Sequence, residues 1–358
     1  MTTKIRVLVV EDSTTVRKRL LDIFDGEPGI EVVGEAADGK RAIELCQKHR
    51  PDVITMDMML PVMSGLAATE FIMAHCPTPI LVVSASINRG ELFKIYEALA
   101  AGAVDVLEKS AGLEGDGAWE RRLIAAVKLV AKIRVITHPR ARLATLTKAR
   151  MPAPPVSNVP VADRACEVVA IGASTGGPGA VLEVLRGLPA HFRLPILLVM
   201  HINEPFGTAF ADWLDAQTSR PAAYARDGTP VAAVGGRIVV APSDRHLVVR
   251  DGCLRLTRDP ERHSCRPSVD VLFESVALEY GSAAAACLLT GMGRDGALGL
   301  FQIRQAGGLT IAQDEATSVV YGMPREAAIL GAATHILALG EIGARLAALQ
   351  TAAMEARA

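Results

Sequence analysis

Val168-Val169-Ala170-Ile171-Gly172-Ala173-Ser174-Thr175-Gly176-Gly177 runs a solid apolar stretch into a turn of small residues, and apolar residues at helical spacing follow it. Continuous apolarity marks a strand buried on both faces, as in a parallel sheet, and the glycines permit a tight strand-to-helix turn. Gly172-Ala173-Ser174-Thr175-Gly176 also satisfies G-x-S-x-G, the pattern in which such a turn projects a serine from the sheet edge. A dinucleotide-binding glycine loop is the rival, since strand, glycine turn and helix describe that motif too. Two observations favour a nucleophile: Ser174 stands near the place of the second glycine, and the next apolar strand, Ile196–Met200, ends in His201 instead of a ribose-binding acid.

A serine hydroxyl needs a base, and His201 ends a strand that should neighbour the Ser174 strand. His246, at the start of a hairpin strand, and His263, in a polar loop, are its competitors. The apolar run Ala284–Leu289 opens into Thr290-Gly291-Met292-Gly293-Arg294-Asp295-Gly296, which places Asp295 on a loop at another strand's carboxyl end. There it either orients the imidazole or caps the helix that begins at Ala297. The chain order Ser174, His201, Asp295 is not that of the α/β-hydrolases, so the triad would be an independent construction.

Gly236–Ala241, His246–Arg250 and Cys253–Thr257 lie close together around Asp251-Gly252, a hairpin signal that predicts some antiparallel pairing. Thr137–Val161 breaks all periodicity with five prolines, Pro139, Pro152, Pro154, Pro155 and Pro160, and reads as a linker. Ahead of it the apolar runs Ile5–Val10, Glu31–Val33, Val53–Met56, Ile80–Val83 and Val104–Leu107 alternate with amphipathic segments such as Thr14–Phe24 and Gly39–His49. That alternation predicts a doubly wound (βα)5 domain. The expected architecture is therefore α/β: a doubly wound (βα)5 domain over 1–125, a linker over 126–164, and a mostly parallel domain with a small hairpin, bearing the candidate hydrolytic site, over 165–348.

Glu11 and Asp12 follow the first run, Asp57 the third, Ser84 the fourth and Lys109 the fifth, so all five fall where open α/β sheets bind ligands. Any of these acids alone would read as a cap or a solvated strand end. Three carboxylates on one edge repel one another unless a hard cation such as Mg²⁺ lies between them. A phosphoryl group on Asp57 would then meet the metal, the Lys109 ammonium and the Ser84 hydroxyl.

The 358 residues suit two domains, and 50% hydrophobic with 22% charged residues are globular proportions. With 38 basic and 39 acidic side chains, net charge −1, broad binding to nucleic acid is not expected. Six scattered cysteines without CxxC spacing indicate neither a zinc site nor a disulfide framework and fit a reducing cytosol. The apolar run within Met1–Ser13 is too short for a secretory signal, and no stretch approaches the roughly 18 apolar residues of a membrane span, so a cytoplasmic protein without membrane insertion is expected.

Val9-Val10-Glu11-Asp12-Ser13, Met56-Asp57-Met58-Met59-Leu60-Pro61 and Glu108-Lys109 resemble the receiver domain of two-component response regulators. The resemblance implies Asp57 as phosphoacceptor, Glu11, Asp12 and Asp57 as the Mg²⁺ site, Ser84 and Lys109 as phosphate sensors, and a sensor histidine kinase as phosphodonor. Ser110 stands where the family usually has proline, and Val106 where many receivers carry an aromatic residue. Gly172–Gly177, His201, Arg266-Pro267-Ser268-Val269-Asp270-Val271-Leu272-Phe273 and Gly291-Met292-Gly293-Arg294-Asp295-Gly296 look like the chemotaxis protein-glutamate methylesterase/glutaminase family, which also places a receiver in front.

That second resemblance implies a Ser174–His201–Asp295 triad that needs no cofactor, with backbone N–H groups near Thr175 and Met292 as oxyanion donors. It implies hydrolysis of γ-glutamyl methyl esters, and deamidation of certain glutamines, on chemoreceptor cytoplasmic helices, with the unphosphorylated receiver covering the cleft. Met200-His201-Ile202-Asn203 and Ala241-Pro242-Ser243-Asp244-Arg245-His246 depart from the family's usual loops, which bears on the receptor served and on glutaminase activity. A response regulator whose second domain only binds a partner is the alternative. A transcriptional regulator would need a basic helix-turn-helix unit, which the glycine-rich second half is not.

Overall fold

The computed structural model describes residues 4–85, 88–109, 117–133, 135, 166–202 and 205–355. The chain forms two compact units, Met1–Pro152 and Ala153–Ala358. The proline-bearing stretch Thr137–Val161, Ser110 and Asn203 lie outside the described residues.

In the first unit β1 (Ile5–Val10), α1 (Thr14–Asp25), β2 (Ile30–Ala36), α2 (Gly39–His49), β3 (Val53–Met56), α3 (Gly65–His75), β4 (Ile80–Ser84), α4 (Arg89–Ala100), β5 (Asp105–Glu108) and α5 (Ala118–Val130) alternate as expected. The five strands form one parallel sheet in the order β2-β1-β3-β4-β5. Val7 to Val10 are each at most 1% exposed, which is why this run carries no polar alternation. Ser13, Asp38, Ser64 and Asn88 cap α1 to α4, each side chain accepting a backbone N–H of the first turn. The Trp119 indole N–H donates to the Glu108 carbonyl at 2.7 Å and ties α5 to the end of β5. α5 runs on to Val130, past the boundary expected at residue 125.

The second unit is built on a seven-stranded parallel sheet, order β14-β13-β12-β6-β7-β9-β8. Its strands are β6 (Val168–Ala173), β7 (Ile196–Met200), β8 (Ala222–Tyr224), β9 (Ile238–Val240), β12 (Ala284–Leu288), β13 (Leu309–Gln313) and β14 (His335–Leu337). The helices are α6 (Gly177–Arg186), α7 (Phe210–Gln217), α8 (Val269–Tyr280), α9 (Ala297–Gln305), α10 (Met323–Ile329) and α11 (Leu339–Glu355). β10 (His246–Arg250) and β11 (Cys253–Thr257) make the expected antiparallel hairpin. Its turn residues, Asp251 and Gly252, have φ of 53° and 66°, the two positive values a type I′ turn requires.

One expectation is corrected. The run Gly236–Ala241 is not antiparallel: its core, β9, pairs parallel with β7 and β8 in the main sheet. β8, β13 and β14 lacked a readable apolar run because two of them have three residues each and β13 buries polar side chains. Thr310 of β13 is satisfied by Thr334, and Gln313 accepts the Thr290 N–H at 2.8 Å.

β6 lies at the centre of this sheet between β12 and β7, and the chain leaves it toward β7 and returns on the other side at β12. The crevice at the carboxyl ends of β6 and β12 is thus a topological switch point, where open α/β sheets bind ligands. α8 packs close above it: a Cβ on Gly172 would lie 2.2 Å from Val269 Cγ1. Gly172→Ala should therefore destabilise the chain by about 1–3 kcal/mol, read as a lowered urea midpoint. An unchanged midpoint would contradict this close approach of β6 and α8.

Candidate active site

In the first unit the switch point falls between β1 and β3, and the side chains of Glu11, Asp12, Asp57 and Lys109 meet there. Lys109 Nζ lies 2.8 Å from Glu11 Oε2 and 2.9 Å from Asp57 Oδ2. The Lys109 N–H donates to the Ser84 carbonyl at 2.9 Å, which holds the ends of β4 and β5 together. Glu11 and Asp57 are buried, and Asp12 is exposed at the rim. Burial raises the Glu11 carboxyl pKa, the Asp57 charge adds to the rise, and Lys109 opposes it. Burial works against the Lys109 ammonium, but its bonds to Glu11 and Asp57 hold it above the usual lysine value.

Ligand oxygens of Glu11, Asp12 and Asp57 all lie within 4.8 Å of one another. This is a hard all-oxygen donor set with an excess of negative charge, and it fits a small divalent cation such as Mg²⁺.

In the second unit, Ser174 and His201 directly follow the paired residues Ala173 and Met200, and the His201 N–H donates to the Ala173 carbonyl at 3.0 Å. The Ser174 N–H donates across to Thr290 on the β12 side. Gly291 fits against the serine: a Cβ there would lie 2.7 Å from Ser174 Cβ.

Asp295 is 2% exposed and fully engaged. Its Oδ1 accepts from Ser268 Oγ at 2.7 Å and from the Asp270 N–H at 3.1 Å. Its Oδ2 accepts from the Val269 N–H at 2.7 Å and faces His201 Nε2 at 2.9 Å. The carboxylate thus sits on the first turn of α8, where unpaired N–H groups and the helix dipole favour negative charge. Burial alone would raise its pKa, but the bond and charge of His201, with Ser268 and Val269, hold it below the ordinary aspartate value. Asp295 therefore serves α8 and His201 together. It does not cap α9, whose N-cap is Gly296.

With Asp295 an ionised acceptor, His201 Nε2 carries a proton and the second ring nitrogen, Nδ1, is left for chemistry. Burial disfavours the charged imidazole, but Asp295 and Cys265 outweigh it and push the His201 pKa up to about 9. His246 is fully buried between the Ser268 N–H and the Pro260 carbonyl, and His263 is held by Asp270 and Arg294. Both competitors for the role of base are therefore occupied elsewhere.

The structure does not form the expected Ser174–His201 hydrogen bond. Among the described residues the Ser174 hydroxyl has no hydrogen-bond partner, and the group facing His201 Nδ1, at 3.8 Å, is the sulfur of Cys265. Thr290 Oγ1 donates to the Thr175 carbonyl at 3.0 Å and accepts the Val320 N–H at 2.9 Å, fixing the turn after Ser174. The Thr175 and Met292 N–H groups have no protein acceptor among the described residues, and Met292 is 41% exposed.

Sequence reasoning gave no role to Ser268 or Cys265. Ser268 carried a readable signal as a serine opening an apolar helix, and it does cap α8, accepting the Val271 N–H. Cys265, a single thiol far from Ser174 and His201 in sequence, carried none.

The family models that match this chain are the CheB methylesterase, over residues 169–346, and the response regulator receiver domain, over residues 7–115. Protein-glutamate methylesterase/protein-glutamine glutaminase 2 of Anaeromyxobacter dehalogenans is 44% identical over 94% of this chain and 95% of its own length. The protein-glutamate methylesterase/protein-glutamine glutaminase of Nitrosospira multiformis is 42% identical over 96% of both. The crystal structure of the Thermotoga maritima CheB methylesterase catalytic domain aligns at 34% identity and a TM-score of 0.49, covering 52% of this chain and all of that one. With relatives matching along nearly its whole length, this chain belongs to the protein-glutamate methylesterase/protein-glutamine glutaminase family and carries a receiver domain ahead of a methylesterase domain.

Proposed function

We propose that this chain is a phosphorylation-controlled serine hydrolase that removes methyl groups from glutamate γ-methyl esters, and deamidates particular glutamines, on the cytoplasmic helices of chemoreceptors. The observation that carries the reading is the His201–Asp295 pair, 2.9 Å apart with the carboxylate buried, beside Ser174 at the switch point of the sheet. The relatives' names supply the substrate class. We assign the receiver to residues 1–130, closing with α5, the linker to 131–164 and the catalytic domain to 165–348.

Ser174 Oγ attacks the ester carbonyl and its proton passes to His201 Nδ1, while Asp295 holds the ring through Nε2 and stabilises the imidazolium. The Thr175 and Met292 N–H groups receive the oxyanion. The imidazolium returns the proton to the departing methoxide, releasing methanol, or to the nitrogen of a glutamine amide, releasing ammonia. Water then attacks the acyl-Ser174 carbonyl with the same base. The missing Ser174–His201 bond suits a site without substrate, where such bonds are commonly long or unformed.

In the receiver, Asp57 accepts a phosphoryl group from a sensor histidine kinase, and Lys109 and Ser84 bind its oxygens. Glu11, Asp12 and Asp57 would hold Mg²⁺, which would supply positive charge to offset that of the phosphoryl group. No cofactor is assigned to hydrolysis. Among the described residues no helix is long and apolar enough to cross a membrane, and net charge −1 gives no broad attraction for nucleic acid. A cytoplasmic setting follows from the kinase and receptor partners.

Methanol release from methylated receptor cytoplasmic domains should rise with a small phosphodonor and Mg²⁺, lose that stimulation in Asp57→Ala and vanish in Ser174→Ala. Hydrolysis by Ser174→Ala would contradict the triad, and no release by the wild type would favour a domain that only binds a partner. Because the His201 pKa is raised to about 9 and the base must be neutral, kcat/KM for methanol release should climb with pH through the 8–9 range. A plateau reached below pH 7 would contradict the Asp295 and Cys265 influence on His201.

A further inference from the structure

His201 is placed between two groups that can each exchange a proton with it. Nε2 is bound to Asp295 at 2.9 Å, and Nδ1 faces Cys265 Sγ at 3.8 Å. Nucleophile, base and orienting carboxylate in this order are the arrangement that activates a thiol: the base takes the S–H proton, and the carboxylate fixes the tautomer and stabilises the imidazolium. When protonated, the thiol has a second acceptor in the His263 carbonyl at 3.4 Å.

The other cysteines are set apart by position. Cys46, Cys76, Cys166 and Cys287 are buried, and burial pushes Cys166 up to about 12 and Cys287 higher still. Cys253 is half-buried like Cys265, but it lies in strand β11 and, among the described residues, no histidine is hydrogen-bonded to it. A metal ion is a weaker occupant of the same cluster. His201, Cys265 and Asp295 offer ligand atoms within 4.8 Å, yet both Asp295 oxygens are already filled by hydrogen bonds.

We propose that Cys265 is a redox-modification site inside the hydrolytic cleft, where its thiol, deprotonated by His201, exchanges with a small-molecule disulfide and the resulting mixed disulfide stops hydrolysis. The Cys265 thiolate attacks one sulfur of the disulfide; the new S–S bond forms as the old one breaks, and the other half leaves as a thiolate. That thiolate takes the proton held on His201 Nδ1. The Cys265 sulfur is oxidised and the departing half reduced, with no other reactant. The adduct sits against Nδ1, the nitrogen that must receive the Ser174 proton, so the consequence for hydrolysis rests on the function proposed above. A thiol reductant reverses the exchange and restores the base.

The test treats the full-length wild type, Cys265→Ser and His201→Gln with glutathione disulfide, measuring adducts by peptide mass spectrometry and methanol release in parallel. Cys265 should form the adduct at least about tenfold faster than Cys253, and His201→Gln should slow it by a similar factor. Wild-type methanol release should fall in step with occupancy of Cys265 and return with dithiothreitol, while Cys265→Ser keeps its own untreated rate. The proposal is overturned by adduct formation at Cys265 no faster than at Cys253, by a rate indifferent to His201→Gln, or by full modification that leaves hydrolysis intact. Absence of methanol release by the untreated wild type would count against the proposed function instead, and the adduct rates would still decide whether His201 activates the thiol.

Discussion

Asp295 holds a negative charge at a depth where an uncompensated carboxylate would cost several kcal/mol, and the surrounding structure is arranged to keep it charged. Three donors come from the start of α8: the Ser268 hydroxyl and the Val269 and Asp270 N–H groups; the fourth is His201. Hydrogen bonds to a charged group contribute about 1.5–3 kcal/mol each, so four of them outweigh the burial penalty and hold the carboxyl ionised. An ionised Asp295 leaves His201 one tautomer, with the proton on Nε2 and Nδ1 turned to the cleft. Loss of the carboxylate would unsettle the base and leave the first turn of α8 without its acceptor.

The two units solve different chemical problems with one topological rule. Each has a parallel sheet whose strand order reverses near its middle, between β1 and β3 in the receiver and between β6 and β12 in the methylesterase domain. Residues just past the strand ends are brought together there without long-range loops: Glu11, Asp57 and Lys109 in one, Ser174, His201 and Asp295 in the other. The receiver gathers carboxylates around a lysine, which suits a cation and a phosphoryl group. The other domain gathers one serine, one imidazole and one carboxylate, which suits acyl transfer.

The sequence disclosed the parts of this architecture that rest on burial and strand ends. β6, β7 and β12 are unbroken apolar runs, β1, β3 and β4 are apolar but for Arg6, Thr55 and Ser84, and the residues expected at their carboxyl ends lie there. Asp251-Gly252 disclosed its hairpin because only positive-φ residues make that turn. β8 and β14 are too short to show a period, and β13 hides Thr310 and Gln313 behind hydrogen bonds to distant residues. The role of Asp295 was half legible: its position marked it as an orienter or a cap, but the helix it serves begins in the chain before it. Cys265 was illegible because its meaning lies in a contact with His201, sixty-four positions away.

Asp295 fixes His201 with its proton on Nε2 and its active nitrogen on Nδ1. ¹⁵N NMR of histidine-labelled protein, followed across pH 6–10 with His201→Gln for assignment, reads both nitrogens directly. Nε2 should stay protonated throughout, and Nδ1 should titrate near the value of about 9 to which Asp295 and Cys265 raise it. A neutral His201 protonated on Nδ1, or one titrating at the ordinary histidine value, would contradict this arrangement.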